Sequence, residues 1–342
     1  MAERAAMAEN TVAAGIVRGL MALAASKGAS EKALAERSGI DPEDLEDQDN
    51  RIPLTKYIAL MKAGKELCND PALALHFGEA IDIGELSIVG LIGDASETRQ
   101  EAFAQVNRYH RLVIEIDLAT ADRFSFVHEN DGLWLVDRRR NPNDFPELTE
   151  STFARAVAGR RRFGETLAVR AVHVTHAAPA YRTEYDRIFQ APVTFDSDKN
   201  ALLLDVDDTW MIRKLSLQPR YVFGVLSRHA DELLKSLESS KTTRGRVESF
   251  LMPILHTGDV AKDTIAAKLG LGGDTLLRRL KEEGTTFEKV LDELRHKMAL
   301  HYLSGKKVSV NETAYLVGFS DPAAFSRAFK RWTGTSPRKR PT

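Results

Sequence analysis

The side chains best suited to recognition chemistry stand in two short runs near the C-terminus. They are Thr275, Arg278 and Arg279, then Ala323, Ser326, Arg327, Lys330 and Arg331. A guanidinium is a planar fork of N–H donors that fits either a phosphate or the O6/N7 edge of guanine. Spacing alone does not choose between these for Arg327. Lys330 and Arg331 suit phosphate contact, or solvate their helix. The alternative fate of Arg327 is an ion pair within its own domain.

Each run needs a rigid element to present it, and the flanking residues describe one. The first reads Ile265-Ala266-Ala267-Lys268-Leu269-Gly270, then Asp274-Thr275-Leu276-Leu277-Arg278-Arg279-Leu280. The second reads Thr313-Ala314-Tyr315-Leu316-Val317-Gly318-Phe319, then Pro322-Ala323-Ala324-Phe325-Ser326-Arg327-Ala328-Phe329. Both place a small Ala four residues before a Gly. The Ala permits close helix approach, and the Gly permits a left-handed turn. Both place an apolar anchor, Leu276 or Phe325, two residues before an arginine. These are two helix-turn-helix signals in register, with one extra residue in the second turn. In the second, Asp321 is placed to cap the helix and Pro322 fits its first position. Phe325, Ala328, Phe329 and Trp332 form its core face, which leaves Ala323, Ser326, Arg327 and Lys330 outside. The connector reads as one helix over 286–304. Its expected capping box is Thr285 with Glu288, its apolar stripe is Phe287, Val290, Leu291, Leu294 and Met298, and its stop is Gly305. Such a helix spans about 28 Å, near the roughly 34 Å between successive major-groove faces. A repeated reading head points to double-stranded DNA.

The run Ala314–Pro337 closely resembles the signature of the AraC/XylS family of bacterial transcription regulators, and the match extends from near Gly245 to the end. The resemblance implies a two-headed DNA-binding domain. The first head departs from the family pattern: Gly272-Gly273-Asp274 stands where many members have Ser-Pro-Arg, and Leu277 replaces a commonly polar residue. Asp274 favours the helix dipole but repels phosphate. The first head is therefore expected to position or to touch a thymine methyl, and the second to carry more specificity. Upstream, Arg51-Ile52-Pro53, Asp70–Gly78, Glu101–Arg111, Glu184-Tyr185-Asp186 and Ala191–Phe195 resemble one subgroup. Its members carry a large N-terminal domain termed arabinose-binding by analogy, and include amino-acid-responsive and virulence-related regulators. The resemblance implies activation, with RNA polymerase as a partner, a homodimer and a small organic effector.

Composition agrees. The 342 residues suit two domains. The formal net charge of −1 hides a split, since residues 245–342 carry +6 and the remainder −7. A basic C-terminal domain suits a polyanion, and an acidic N-terminal domain stays off it. Cys68 is the only cysteine, so an intrachain disulfide and a cysteine-based zinc site are excluded and a cytoplasmic location is expected. Val12–Ala25 is broken by Arg18 and is too short for a membrane span, which needs about 20 residues. It reads as an amphipathic helix, and no membrane partner is expected.

The expected architecture is an α+β N-terminal sensor domain over 1–237, a linker over 238–244, and an all-α C-terminal domain over 245–342 with two helix-turn-helix motifs joined by a long helix. In the first domain, helices fill Thr11–Ile81, Glu97–Leu112, Glu147–Phe163, Ala180–Gln190 and Gln218–Leu237. Strands are expected at Ile114–Leu118, Arg123–Val127, Leu133–Val136, Val169–His176 and Pro192–Val206, with a hairpin turn at Asp131-Gly132. No effector-binding residue is legible. Arg108 and Arg111 can pair a carboxylate but read better as surface residues, and the Arg160-Arg161-Arg162 run reads as a solvated helix end. Arg338-Lys339-Arg340 suits nonspecific phosphate contact.

Catalytic patterns are wanting. Gly90 and Gly93 lack a phosphate-loop pattern. His173 and His176 lie on opposite faces of an expected strand and make a poor metal pair. No catalytic residue, cofactor or metal site is expected. An alkylation-repair protein fused to an AraC-like domain would need a reactive thiolate in its own motif, and Cys68 lies outside one. A ligand-independent architectural DNA binder is the other alternative, and the large acidic domain argues against it.

Overall fold

The computed structural model describes residues 9–158, 169–207, 209–215, 220–304 and 308–338. The Arg160–Arg162 run, Gly305, Lys339 and Arg340 lie outside them. The chain divides into two compact units, Met1–Leu234 and Lys235–Thr342.

The first unit opens with a two-stranded antiparallel ribbon, β1 (Thr11–Ala13) with β2 (Arg51–Pro53). Around it stand the helices α1 (Ala14–Ser26), α2 (Glu31–Ser38), α3 (Leu54–Leu67) and α4 (Leu73–Ala80). Their apolar stripes close one core, with Val17, Leu20, Leu34, Leu60 and Leu73 fully buried. The Arg51-Ile52-Pro53 motif has a structural job here. The Arg51 guanidinium donates to the carbonyls of Thr11, Arg111 and Leu112 and to Thr11 Oγ1. It thereby ties β1 to the C-terminal carbonyls of α6 (Arg99–Val113), which lack helical partners. Burial lowers its pKa to about 10, so it stays charged.

Between α4 and α6 lies α5 (Ile88–Ala95). The sheet follows, built from β3 (Phe124–Glu129), β4 (Gly132–Asp137), β5 (Val169–His173), β6 (Val193–Thr194) and β7 (Ala201–Leu204). Its order is β3-β4-β7-β5-β6, antiparallel except for the parallel β5–β6 pair. That parallel pair needs a crossover, which α8 (Arg182–Phe189) supplies. A second core forms where the sheet meets α7 (Glu147–Ala158) and α8, around Phe153, Val172, Tyr185, Ile188 and Leu202. Two scattered motifs meet nearby: His76 bridges Asp70 at 2.7 Å and Glu184 at 3.0 Å.

Several expectations are corrected. Ile114–Leu118 is no strand, because only isolated bridges form at Ile114 and Leu118. The hairpin turns at Asn130 and Asp131, with Gly132 already opening β4. Pro192–Val206 is two short strands rather than one. His173 packs its ring on Trp134 and meets Ser197 Oγ, while His176, beyond the end of β5, meets the Tyr185 hydroxyl.

The long helix α9 (Arg220–Ser240) carries the chain across the division between the units, followed by α10 (Thr243–Leu251). Residues 238–244 include the end of α9 and the start of α10. Glu238–Ser240 end α9, and Thr242 caps α10 by accepting from Gly245 N at 2.9 Å. Of the polar residues in this stretch, Thr242 serves as a helix cap.

The second unit continues with α11 (Lys262–Lys268), α12 (Gly273–Glu282), α13 (Phe287–Ser304), α14 (Val310–Leu316) and α15 (Pro322–Thr333). Val247, Ile265, Leu276, Leu280, Val290, Ala314 and Phe325 are fully buried in its single core.

Candidate nucleic-acid interface and sensor cavity

Each head is a helix pair, α11–α12 and α14–α15, joined through a left-handed glycine. Gly270 has φ of +66° and Gly318 of +78°. In both, the residue after the glycine donates to the carbonyl of the small alanine, Leu271 to Ala266 and Phe319 to Ala314, each at 2.9 Å. The glycine itself donates to Ala267 or Tyr315. This is the paired hydrogen-bond pattern of a Schellman turn, which satisfies carbonyls that the helix end leaves orphaned.

The helix after each turn starts differently. Asp321 accepts from Ala323 N at 2.9 Å and Ala324 N at 3.1 Å, and Pro322 takes the first helical position. These bonds, with the nearby charge of Arg327, hold the Asp321 carboxyl below its usual range. Gly272 precedes α12 with no side-chain cap, and Asp274 stands exposed in the first turn. α14 begins with a full capping box, Ser309 with Glu312. Sequence reading missed this box, although Ser309-Val310-Asn311-Glu312 spells it.

The connecting helix α13 starts one residue later than its expected cap. Thr286 Oγ1, not Thr285, accepts from Lys289 N at 3.2 Å. The Thr285 N–H donates to Leu280 O and closes a Schellman turn on α12 at Gly284, while its Oγ1 is buried with no hydrogen-bond partner among the described residues. Its 18 residues span about 27 Å. Arg295 on this helix donates to the carbonyls of Val317 and Gly318 at 3.1 and 3.2 Å, and its guanidinium lies over the Phe319 ring. A cation thus closes the C-terminus of α14 and ties the second turn to the connector.

On α15, Phe325, Ala328 and Phe329 are buried, and Trp332 packs against them. Ala323, Arg327, Lys330 and Arg331 are exposed, and Ser326 is half-buried with its hydroxyl bonded back to Pro322 O. The guanidinium of Arg327 has no ion-pair partner among the described residues. Arg331 differs: it grips both oxygens of Asp292 at 2.8 Å, beside the Trp332 Nε1 bond to the same carboxylate. It belongs to the scaffold that fixes α15 on α13. On α12, Leu276 and Leu280 are buried and Leu277 packs partly on the core. Arg278 is exposed, while Thr275 and Arg279 are half-buried, with no ion pair at either arginine among the described residues. Each head therefore presents at least one unpaired cation on the face opposite its core.

The first unit contains a cavity of about 550 Å³, within the size range of ligand sites. Its walls are α5, α6, α7 and the start of β3, with Val89, Phe103, Val106, Phe124, Leu135 and Phe153 supplying the apolar lining. Its polar groups are Asp82, Asp94, His110, Arg123, Thr152 and Arg155. Arg108 and Arg111 are not among them; they pair with Asp231 and Glu115. A larger hollow between α1 and α2 has charged residues of both signs on its rim, among them Arg18, Glu31, Lys32 and Asp41.

Two family profiles match the chain. Residues 28–211 match the arabinose-binding domain of AraC transcription regulators, and residues 265–340 match a helix-turn-helix domain. The chain is 26% identical to the ornithine utilization regulator of Pseudomonas aeruginosa, covering 93% of this chain and 92% of that one. It is 24% identical to the HTH-type transcriptional regulator VirS of Mycobacterium tuberculosis, covering 91% of each. The crystal structure of the transcriptional regulator CdpR from Pseudomonas aeruginosa aligns over 95% of this chain and 96% of its own, with a TM-score of 0.46 and 20% identity.

Proposed function

Because the chain belongs to the AraC transcription regulators with an N-terminal arabinose-binding domain, and is a DNA-binding regulator, we propose that it grips promoter DNA as a homodimer under the control of a small organic effector. Residues 1–237 are the sensor and 245–342 the reader. The observation that carries this reading is the repeated helix pair. Two Schellman-turned units turn their apolar faces into one core and leave Arg278, Arg279, Arg327 and Lys330 outside without ion-pair partners among the described residues. The second head reads bases, with Arg327 at its centre. The first positions the protein through Thr275, Arg278 and Arg279, since Asp274 repels phosphate there.

Dimerisation is supported by the exposed apolar residues Tyr221, Val222 and Val225 on α9. Effector control is supported by the apolar cavity of the first unit, which a purely architectural protein does not need. The regulator acts in the cytoplasm and activates through contact with RNA polymerase, as the family resemblance implies. Among the described residues no helix is long and apolar enough to cross a membrane, and no reaction is assigned to the chain.

The test is operator binding over a salt series, with promoter fragments enriched by genome-wide mapping of bound DNA. Each phosphate neutralised contributes a slope of about −0.9 in log affinity against log salt. Binding that is absent, or insensitive to salt, overturns the reading.

A further inference from the structure

The cavity of the first unit separates its charges, with Asp82 and Asp94 on the α5 side and the guanidiniums of Arg123 and Arg155 together elsewhere in the lining. Arg123 is buried and shares Asp137 with the equally buried Arg139, at 3.7 and 3.1 Å. Asp137 is the only carboxylate paired with either guanidinium among the described residues. Arg123 also reaches Thr152 Oγ1 at 3.1 Å, yet its Nε has no hydrogen-bond partner. Arg155 lines the same cavity from α7 and has neither a hydrogen bond nor an ion pair among the described residues. The charge felt most strongly at Arg155 is that of Arg123, another cation; burial and this repulsion lower its pKa to about 10, so it remains charged at neutral pH. A half-buried cation without a partner is costly unless an anion joins it.

We propose that this cavity seats a monocarboxylate with an apolar body, its carboxylate on Arg155 beside Arg123 and its hydrocarbon against Val89, Phe103, Val106 and Phe153. The proposal rests on the reading of the first unit as the sensor and names the chemical class of its effector. A guanidinium fits a carboxylate as a two-toothed fork. The apolar lining then gains from burying the body. Asp82 and Asp94 stand on the α5 side of the same cavity, where burial and the Asp82 charge raise the Asp94 pKa. They disfavour a second carboxylate on the ligand.

The test uses the full chain at fixed ionic strength, with octanoate and phenylacetate as probes and their neutral amides as controls. Thermal shift and calorimetry should show the carboxylates binding about ten-fold or more tightly than the amides. Arg155→Met should weaken carboxylate binding by a similar factor. Without ligand it should melt no lower than the parent, because it removes a half-buried charge and breaks no hydrogen bond or ion pair among the described residues. A lower melting point together with unchanged carboxylate binding would make Arg155 a structural residue and overturn the proposal. Equal binding of acids and amides overturns it as well. So does preference for the matching α-amino acids that is lost in Asp94→Asn. If another metabolite changes operator affinity independently of Arg155, the sensor reading stands and only this assignment of class falls.

Discussion

Replacing each turn glycine by alanine separates the backbone demand of the helix-turn-helix from its packing demand. Gly270 and Gly318 share a left-handed conformation, with φ of +66° and +78°. A left-handed L-residue costs roughly 1–2 kcal/mol, offset by about 0.4–1 kcal/mol of lost unfolded-state entropy. A Cβ on Gly270 meets nothing within 4 Å, so Gly270→Ala should cost only that difference, about 1 kcal/mol. A Cβ on Gly318 would stand 2.2 Å from the carbonyl oxygen of Leu255 and 3.5 Å from the Arg295 guanidinium. The oxygen is main chain and cannot rotate away, so the turn must retreat. Overpacking of this kind adds about 1–3 kcal/mol, for a total of about 2–4 kcal/mol. The retreat also disturbs the bonds of Arg295 to Val317 O and Gly318 O. Urea unfolding of residues 235–342 reads the difference, followed at Trp332, the only tryptophan in that stretch. With a slope of about 1.5 kcal/mol/M, Gly270→Ala should lower the midpoint by under about 1 M and Gly318→Ala by about 2 M. Equal midpoints, or a larger loss at Gly270, would refute the claim that close approach to Leu255 dictates the second glycine.

Arg327→Ala should weaken operator binding by about 1–3 kcal/mol while leaving the melting point unchanged, since this exposed guanidinium has no ion-pair partner among the described residues. Arg331→Ala should do the reverse, losing up to about 1 kcal/mol of stability with its Asp292 pair and little of binding; gel-shift and melting measurements on both variants decide. The Asp321 carboxyl is held below its usual range, so its contribution is present above the unfolded pKa near 3.8 and lost as pH falls through the folded one. Acid unfolding of 235–342 below about pH 4 should therefore be less steep in Asp321→Asn, and an unchanged profile would remove Asp321 as a charged cap.

The reading heads were legible because each depends on local chemistry. Gly270 and Gly318 mark positive φ, Asp321-Pro322 marks a helix start, and the spacing of Phe325, Ala328, Phe329 and Trp332 fixes which face is buried. A helix must hide its apolar stripe, so the sequence by itself also determines that Arg327 and Lys330 stand outside. Capping was less legible, because Thr285 and Thr286 both suit a cap. Thr286 Oγ1 takes the cap, while Thr285 N–H closes the preceding Schellman turn and Thr285 Oγ1 is buried with no hydrogen-bond partner among the described residues. The fate of individual cations was decided by tertiary structure alone. Arg327 and Arg331 are one helical turn apart and chemically identical, but Asp292 arrives from α13 to claim only Arg331. In the first unit, Arg155 gives no local signal, being one of several polar residues in α7, beside Glu147, Thr149, Glu150, Ser151 and Thr152. Its meaning arises when α5, α6, α7 and the sheet enclose a cavity around it and bring Arg123 near, with no carboxylate paired to Arg155 among the described residues. Helix periodicity and turn chemistry act over a few residues and so are written in the chain. Charge balance inside a cavity is a sum over groups far apart in sequence, and only the folded arrangement sets its terms.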